Sequence, residues 1–251
     1  MTEVLTYIKG DSLVHRLHPL TKILVAIIII IMSVITLDLG ILLIILAIVA
    51  LIAGISRIGS TLAQQIPLFA MLSVFLTILT VLTVQNGAVL YDGLVLVTVG
   101  GITSGLVLAT RFIIMISAVH VVVVSTAPGD LVRALRAMHM PVDYTLMMLI
   151  ALRFIPGLQM EGRRIQEAQL SRGYNPGTGF MGKVRSVAPM LVPLVANSLA
   201  RTRVIGYTLE MRGYRNPRNA AVPLPFHFYD GVVIFCTVIL LIAFFAVTFG
   251  F

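Results

Sequence analysis

The chain has 251 residues, of which 59% are hydrophobic and only 11% charged, with a net charge of +8 and a mean hydropathy of +1.04. So few charges cannot cover the surface of a soluble domain of this length, which leaves an all-α integral membrane protein as the fold class. The single cysteine, Cys236, excludes an intrachain disulfide and gives a metal–thiolate cluster no basis.

No cleavable signal peptide is expected, because the first fifteen residues are polar and mixed. Five runs approach the roughly 20 apolar residues that a crossing needs. They are Leu20 to Leu37, Leu39 to Ile55, Ile66 to Val84, Ile102 to Ser125, and Phe228 to Phe251. Only the turn at Asp38 separates the first two. The stretch from Ala88 to Gly101 is apolar but short and interrupted by glycine, so it reads either as an external hairpin or as a re-entrant piece. Arg111 and His120 fall inside the fourth run. Arg111 is expected to pair with a carboxylate or a backbone carbonyl of the bundle, and His120 to hydrogen-bond another helix. Asp38 and Asp92 are expected in external turns.

Positive charge sets orientation. Lys9, Arg16 and Lys22 gather at the head of the first run, Arg57 lies between the second and third, and thirteen of the eighteen Lys and Arg residues fall between Arg133 and Arg218. The turn at Asp38 and the loop from Gln85 to Gly101 have no cation. The expectation is a cytoplasmic N-terminus, five crossings and an external C-terminus. Three parts follow: N-terminal spans in 1–126, a cytoplasmic helical region in 127–225, and a last span in 226–251. The cationic excess thus reports cytoplasmic loops, and nucleic acid is not an expected partner.

The basic region carries helix signals. Asp130 suits the first turn of a short helix over "LVRALRAM", Pro141 stops it, and Asp143 is a candidate cap for a long helix to Ser171 with a kink at Pro156-Gly157. A second long segment runs from about Val184 to Met211, with Pro189 and Pro193 near its start. Its apolar first half is read as lying at the membrane boundary or packed under the spans. Met147 and Met148 sit in a run that reads either as core or as an adaptable surface.

Both long segments end alike, in "SRGYNP" and "MRGYRNP". Gly173 and Gly213 suit the left-handed residue that closes a helix. Pro176 and Pro217 keep the helix from resuming. Arg172 and Arg212 are left in the last turn, where the helix dipole favours a cation. Either tip alone is an ordinary helix end. A duplicated tip on two long helices points to two similar receptors.

These features resemble the T component, the transmembrane coupling subunit, of energy-coupling factor transporters, a family that includes the CbiQ-type proteins of cobalt uptake. "LHPLTKILV" resembles the family's His/Asp-Pro-x-Thr-Lys lead-in to the first span, and "STAPGDLVRALRAMHMP" the start of its coupling region. "ALRFIPGLQMEGRRIQEAQLSRG" resembles its long coupling helix. Ser171-Arg172-Gly173 and Met211-Arg212-Gly213 match its two X-Arg-Gly motifs, with Ser and Met where the family usually has alanine. The resemblance implies a non-catalytic transport subunit of a prokaryotic cell membrane, without a cofactor. Its implied partners are two cytoplasmic ATPase subunits, which receive the arginine tips, and a membrane-embedded substrate-binding S component. The implied cargo is a vitamin or a transition-metal ion.

Two other classes compete. An ordinary importer permease binds substrate itself and carries a cytoplasmic Glu-Ala-Ala…Gly…Ile-x-x-Pro loop. "EAQLSRG" has its first half, but Lys183 and Arg185 stand where Ile and Pro are expected, and one such loop leaves the second tip unexplained. A membrane enzyme finds no support, because His15, His18, His120, His139 and His227 lack metal-ligand spacing and no nucleotide-binding loop or nucleophile elbow is present.

Overall fold

The computed structural model describes residues 17–56, 59–84, 86, 88–92, 96–138, 140–174, 179–213 and 226–249. Their elements in order are helices α1 (Pro19–Ile35), α2 (Leu39–Ile55) and α3 (Gly59–Thr83), a hairpin of strands β1 (Val89–Asp92) and β2 (Leu96–Thr98), and helices α4 (Val99–Ser125), α5 (Pro128–Ala137), α6 (Val142–Ser171), α7 (Gly179–Met211) and α8 (Phe228–Phe249). The chain divides into two compact units, Met1–Ala134 with Leu224–Phe251, and Leu135–Pro223. Its helical character is as expected of an all-α membrane protein, with one short antiparallel hairpin added.

The first unit is built around α4, which packs against α1, α2 and α3, while α8 packs against α1. Met32, Leu42, Ile45, Val49, Ile114, Ala118 and Phe244 form one buried cluster drawn from α1, α2, α4 and α8. Small residues let the helices approach: a Cβ on Gly105 of α4 would stand 3.1 Å from the Thr77 carbonyl oxygen of α3. Threonines in α3 return their hydroxyl protons to the preceding turn, Thr77 to Ser73 at 2.9 Å and Thr80 to Leu76 at 2.8 Å. This satisfies a polar group where no water is at hand.

The exterior of this unit is rich in apolar residues. Ile44, Met71, Phe235 and Val247 are all exposed. A water-facing surface of this kind would be an association hazard, whereas a bilayer solvates it. Among the described residues three helices are long and apolar enough to cross: Gln65–Thr83, Val99–Ser125 and Phe228–Thr248. Helices α1 and α2 have 17 residues each, which at ~1.5 Å per residue is the short end of a crossing. Of the five expected crossings, three coincide with helices long enough to span and two with the shorter apolar helices α1 and α2.

Several expectations shift in detail. Helix α2 has the expected bounds; α3 begins at Gly59 and α4 at Val99, earlier than read. Helix α3 continues through Pro67. The ambiguous stretch becomes the hairpin, whose last residue Thr98 caps α4 by accepting from the Gly101 N–H at 3.1 Å. Asp38 is the N-cap of α2 but makes no side-chain cap bond. Asp143 is not a cap: Pro141 holds that position, and Asp143 sits in the first turn of α6. Helix α7 starts at Gly179 rather than near Val184. The terminal segment before Leu17, Arg57, His15, His139, Pro176, Gly177 and Pro217 lie outside the described residues.

Candidate functional site

The second unit is an antiparallel pair of long helices. Helices α6 and α7 have 30 and 33 residues, roughly 45 and 50 Å at 1.5 Å per residue. Both run on through internal prolines, Pro156 in α6 and Pro189 and Pro193 in α7. Each such proline removes one backbone donor from the ladder.

Contacts fix the direction of the pair. A Cβ on Gly162 would lie 3.7 Å from the Met190 sulfur, and one on Gly157 would lie 3.9 Å from the Arg201 guanidinium. Asn197 donates from Nδ2 to Glu161 Oε1 at 3.1 Å, and Arg201 stands 4.0 Å from the other Glu161 oxygen. That exposed ion pair contributes little to stability. Ile150, Arg153 and Phe154 share a cleft of about 500 Å³ with Ile205, Leu209 and Arg212. Rising numbers on one helix meet falling numbers on the other. Arg172 lies about 15 residues beyond Gly157, and Arg212 about 11 beyond Arg201, in opposite directions. The two tips therefore stand at opposite ends of the pair, separated by some ~40 Å of helix.

Each tip is shaped by backbone geometry. Gly173 has φ +82° and Gly213 φ +62°, where an L side chain meets its following carbonyl and glycine does not. At the first tip the Gly173 N–H donates to Leu170 O at 3.0 Å and the Tyr174 N–H to Gln169 O at 3.0 Å. These are the paired bonds of a Schellman closure. The second tip repeats the inner bond, from the Gly213 N–H to Glu210 O at 2.9 Å. Ser171 returns its hydroxyl proton to Glu167 O at 3.0 Å. Ser171, Arg172, Met211 and Arg212 are all exposed at their helix ends. The sequence repeat is thus a structural repeat: two fixed turns, each presenting a guanidinium to its surroundings. Met147 and Met148 are exposed as well, so of the two readings of that run the structure has the surface.

At one end of the first unit lies a polar knot. His18 is the N-cap of α1, with Nδ1 accepting from the Leu20 N–H at 3.3 Å. The His18 backbone N–H donates to Asp230 Oδ1 at 2.7 Å, and the His227 N–H to Asp230 Oδ2 at 2.9 Å. The His18 ring stacks on Phe226 with centroids 4.1 Å apart. Beside it, Lys22 donates from Nζ to the Ser125 carbonyl at 2.8 Å. The start of α1, the end of α4 and the start of α8 are thereby joined. Towards the other end of the bundle, Arg111 donates from Nε to Ser33 O at 3.0 Å and from its terminal nitrogen to Thr36 O at 2.9 Å. Arg111 thus pairs with backbone carbonyls, one of the two expected outcomes. His120 is buried, and its Nε2 has no hydrogen-bond partner among the described residues, so the expected bond to another helix is not seen at that nitrogen.

Sequence reading missed Asp230 and gave Lys22 only the roles of an orienting charge and a motif letter. The available signal was an acid two residues inside an otherwise apolar helix, which a membrane tolerates only when its oxygens are occupied.

Burial pushes the His18 imidazole below its ordinary value of 6.5, against a partial lift from the Asp230 carboxylate. The unfolded chain then binds more protons than the folded one just below pH 6.5, so stability falls as pH is lowered through that value. Protonation also puts a hydrogen on Nδ1, which ends its service as cap acceptor. The unfolding temperature in detergent should therefore drop between pH 7 and pH 5. His18→Asn keeps a cap acceptor that does not titrate and should flatten this slope; an unchanged slope refutes the assignment.

Residues 10–222 match the family model described as cobalt transport protein, CbiQ. The energy-coupling factor transporter transmembrane protein EcfT of Streptococcus equi subsp. equi is 31% identical over 220 residues, covering 83% of this chain and 82% of that protein. The proteins of the same description from Bacillus selenitireducens, 31% identical over 227 residues, and Streptococcus thermophilus, 32% over 221, match 83% of this chain and 82% and 83% of their own lengths. A duplicated arginine tip on two long helices, a bundle with an apolar exterior, and these relatives together place the chain in the family of energy-coupling factor transporter transmembrane components.

Proposed function

We propose that this chain is the coupling subunit of its transporter. It transmits ATP-driven motion of two cytoplasmic ATPase subunits to a membrane-embedded substrate-binding component, for uptake of a vitamin or a transition-metal ion. The observation that carries this reading is the pair of left-handed glycine closures presenting Arg172 and Arg212 at opposite ends of an antiparallel helix pair. Two tips so separated suit two receptors better than one. A planar guanidinium forks onto a carboxylate or carbonyl in a groove, and Ser171, Gly173, Met211 and Gly213 complete each docking turn. Exposed apolar residues along the pair, among them Met147, Met160, Val192 and Leu199, offer an adaptable face to the spans of the substrate-binding partner. The charge asymmetry supports a cytoplasmic N-terminus and a cytoplasmic helix pair. The chain contributes position and displacement; the partners contribute ATP hydrolysis and substrate specificity.

The experiment is affinity purification of the chain from its native membrane in mild detergent, with identification of what accompanies it. Two ATPase subunits and a hydrophobic membrane partner should be recovered, and ATP hydrolysis should require the ATPases. Recovery with ATPases alone, together with stoichiometric substrate binding by this chain, would instead establish an ordinary permease.

A further inference from the structure

Helices α1 and α4 run antiparallel and hold each other by a reciprocal device. Lys22, near the start of α1, donates to the carbonyl of Ser125, the last residue of α4. Arg111, within α4, donates to the carbonyls of Ser33 and Thr36 at the end of α1. The spacing is the same in both directions: Lys22 stands about 14 residues before Thr36, and Arg111 about 14 before Ser125, roughly 21 Å of helix in each case. Each cation meets carbonyls that the end of the other helix leaves without an intrahelical donor, where the dipole also favours positive charge. The device is largely sheltered: Lys22, Ser33, Thr36 and Ser125 are buried and Arg111 is half-buried.

We propose that Lys22 is a positioning residue for energy coupling. It fixes the last turn of α4 at the point from which the chain continues into α5 and the second unit. Only Thr126 and Ala127 separate Ser125 from α5, and the Asp130 N–H donates to Ala127 O at 3.0 Å, so little slack remains in the connection. A helix end whose carbonyls lack partners frays, and displacement arriving through α5 would then be absorbed in that turn. With Lys22 in place the displacement reaches α4, and Arg111 holds α1 to it at the far end. This role rests on the reading of the chain as a coupling subunit, whereas the clamp itself does not.

Amide hydrogen exchange on the complete chain separates the two. In detergent, Lys22→Met should accelerate exchange of the amides of Val121 to Ser125 at least tenfold, while Lys22→Arg, which keeps a cationic donor, stays within about threefold of the parent. Unchanged or uniformly accelerated exchange in Lys22→Met overturns the clamp. In the complex with its ATPases, adding ATP to the parent should alter exchange in both 135–223 and 99–125. Lys22→Met should keep ATPase binding, ATP hydrolysis and the response in 135–223, and lose the response in 99–125. A retained response in 99–125 overturns the positioning role. A parent complex whose exchange does not respond to ATP overturns the coupling reading instead, and the positioning role with it. If Lys22→Met does not accumulate, Arg111→Met decides: it removes both donors to the Ser33 and Thr36 carbonyls, so exchange should rise at the end of α1 alone, and a uniform rise or none overturns the device.

Discussion

Replacing Arg172 and Arg212 together with alanine should abolish recovery of the ATPases with this chain, while leaving the chain folded and inserted. The closures that hold the tips are backbone bonds, from Arg172 N–H to Ala168 O, Gly173 N–H to Leu170 O, and Gly213 N–H to Glu210 O. Alanine keeps all of them, and both arginines are exposed, so no core volume is lost. On the coupling reading proposed above, what is lost is the guanidinium that docks each tip, a change that costs roughly 2–5 kcal/mol per buried charged partner. At about 1.4 kcal/mol per tenfold, each single change weakens docking by one or more orders of magnitude. Each single variant should thus impair uptake, and the double variant should lose the complex. Arg→Glu at either tip should be worse, because it places like charge in a groove that suits a cation. Arg163→Ala, an exposed arginine on α6 away from the tips, serves as the control and should assemble like the parent. The measurement is ATPase recovery and uptake at matched membrane levels. Assembly and uptake by the double variant at the parental level would reduce the tips to ordinary helix ends.

Asp230→Ala should strongly destabilise the bundle. The side chain is fully buried, and its two oxygens occupy the backbone N–H groups of His18 and His227 at 2.7 and 2.9 Å. Alanine leaves two donors without their acceptor, the His18 N–H buried and the His227 N–H part-buried, at about 1–3 kcal/mol each. For a chain of this size that lowers the unfolding temperature by roughly 5–20 °C. Asp230→Asn keeps one acceptor oxygen and should fall between. Asp143→Ala, which removes an exposed carboxylate from the first turn of α6, should stay within about 0.5 kcal/mol of the parent. The readout is thermal unfolding in detergent, with chain accumulation in the membrane measured alongside. A shift for Asp230→Ala no larger than that for Asp143→Ala would show that the knot does not hold α1 to α8.

The arginine tips and Asp230 differ in how openly the sequence carries them. The tips are legible in the residues alone, because a Schellman closure is local: the glycine that permits φ +82° lies within a few residues of every bond it organises. The same locality makes the apolar helices legible, down to the bounds of Leu39–Ile55. The start of the second long helix is less legible: it is read near Val184, with Pro189 and Pro193 close behind, whereas α7 begins at Gly179 and runs through both prolines.

By itself the sequence determined the class of the protein, since composition limits which solvent can cover the surface, and it determined the paired tips, since local backbone chemistry closes each helix. Only the tertiary structure decided the antiparallel register of α6 and α7, which puts those tips at opposite ends. It alone decided the distant partners His18 of Asp230, Ser125 of Lys22 and Ser33 of Arg111, which lie 212, 103 and 78 residues away along the chain. The reason is physical. These side chains bond backbone N–H and C=O groups, which every residue apart from proline carries in the same form, so no letter in the sequence marks the partner. Where a helix end comes to rest beside a buried charge is settled by the packing of the whole bundle.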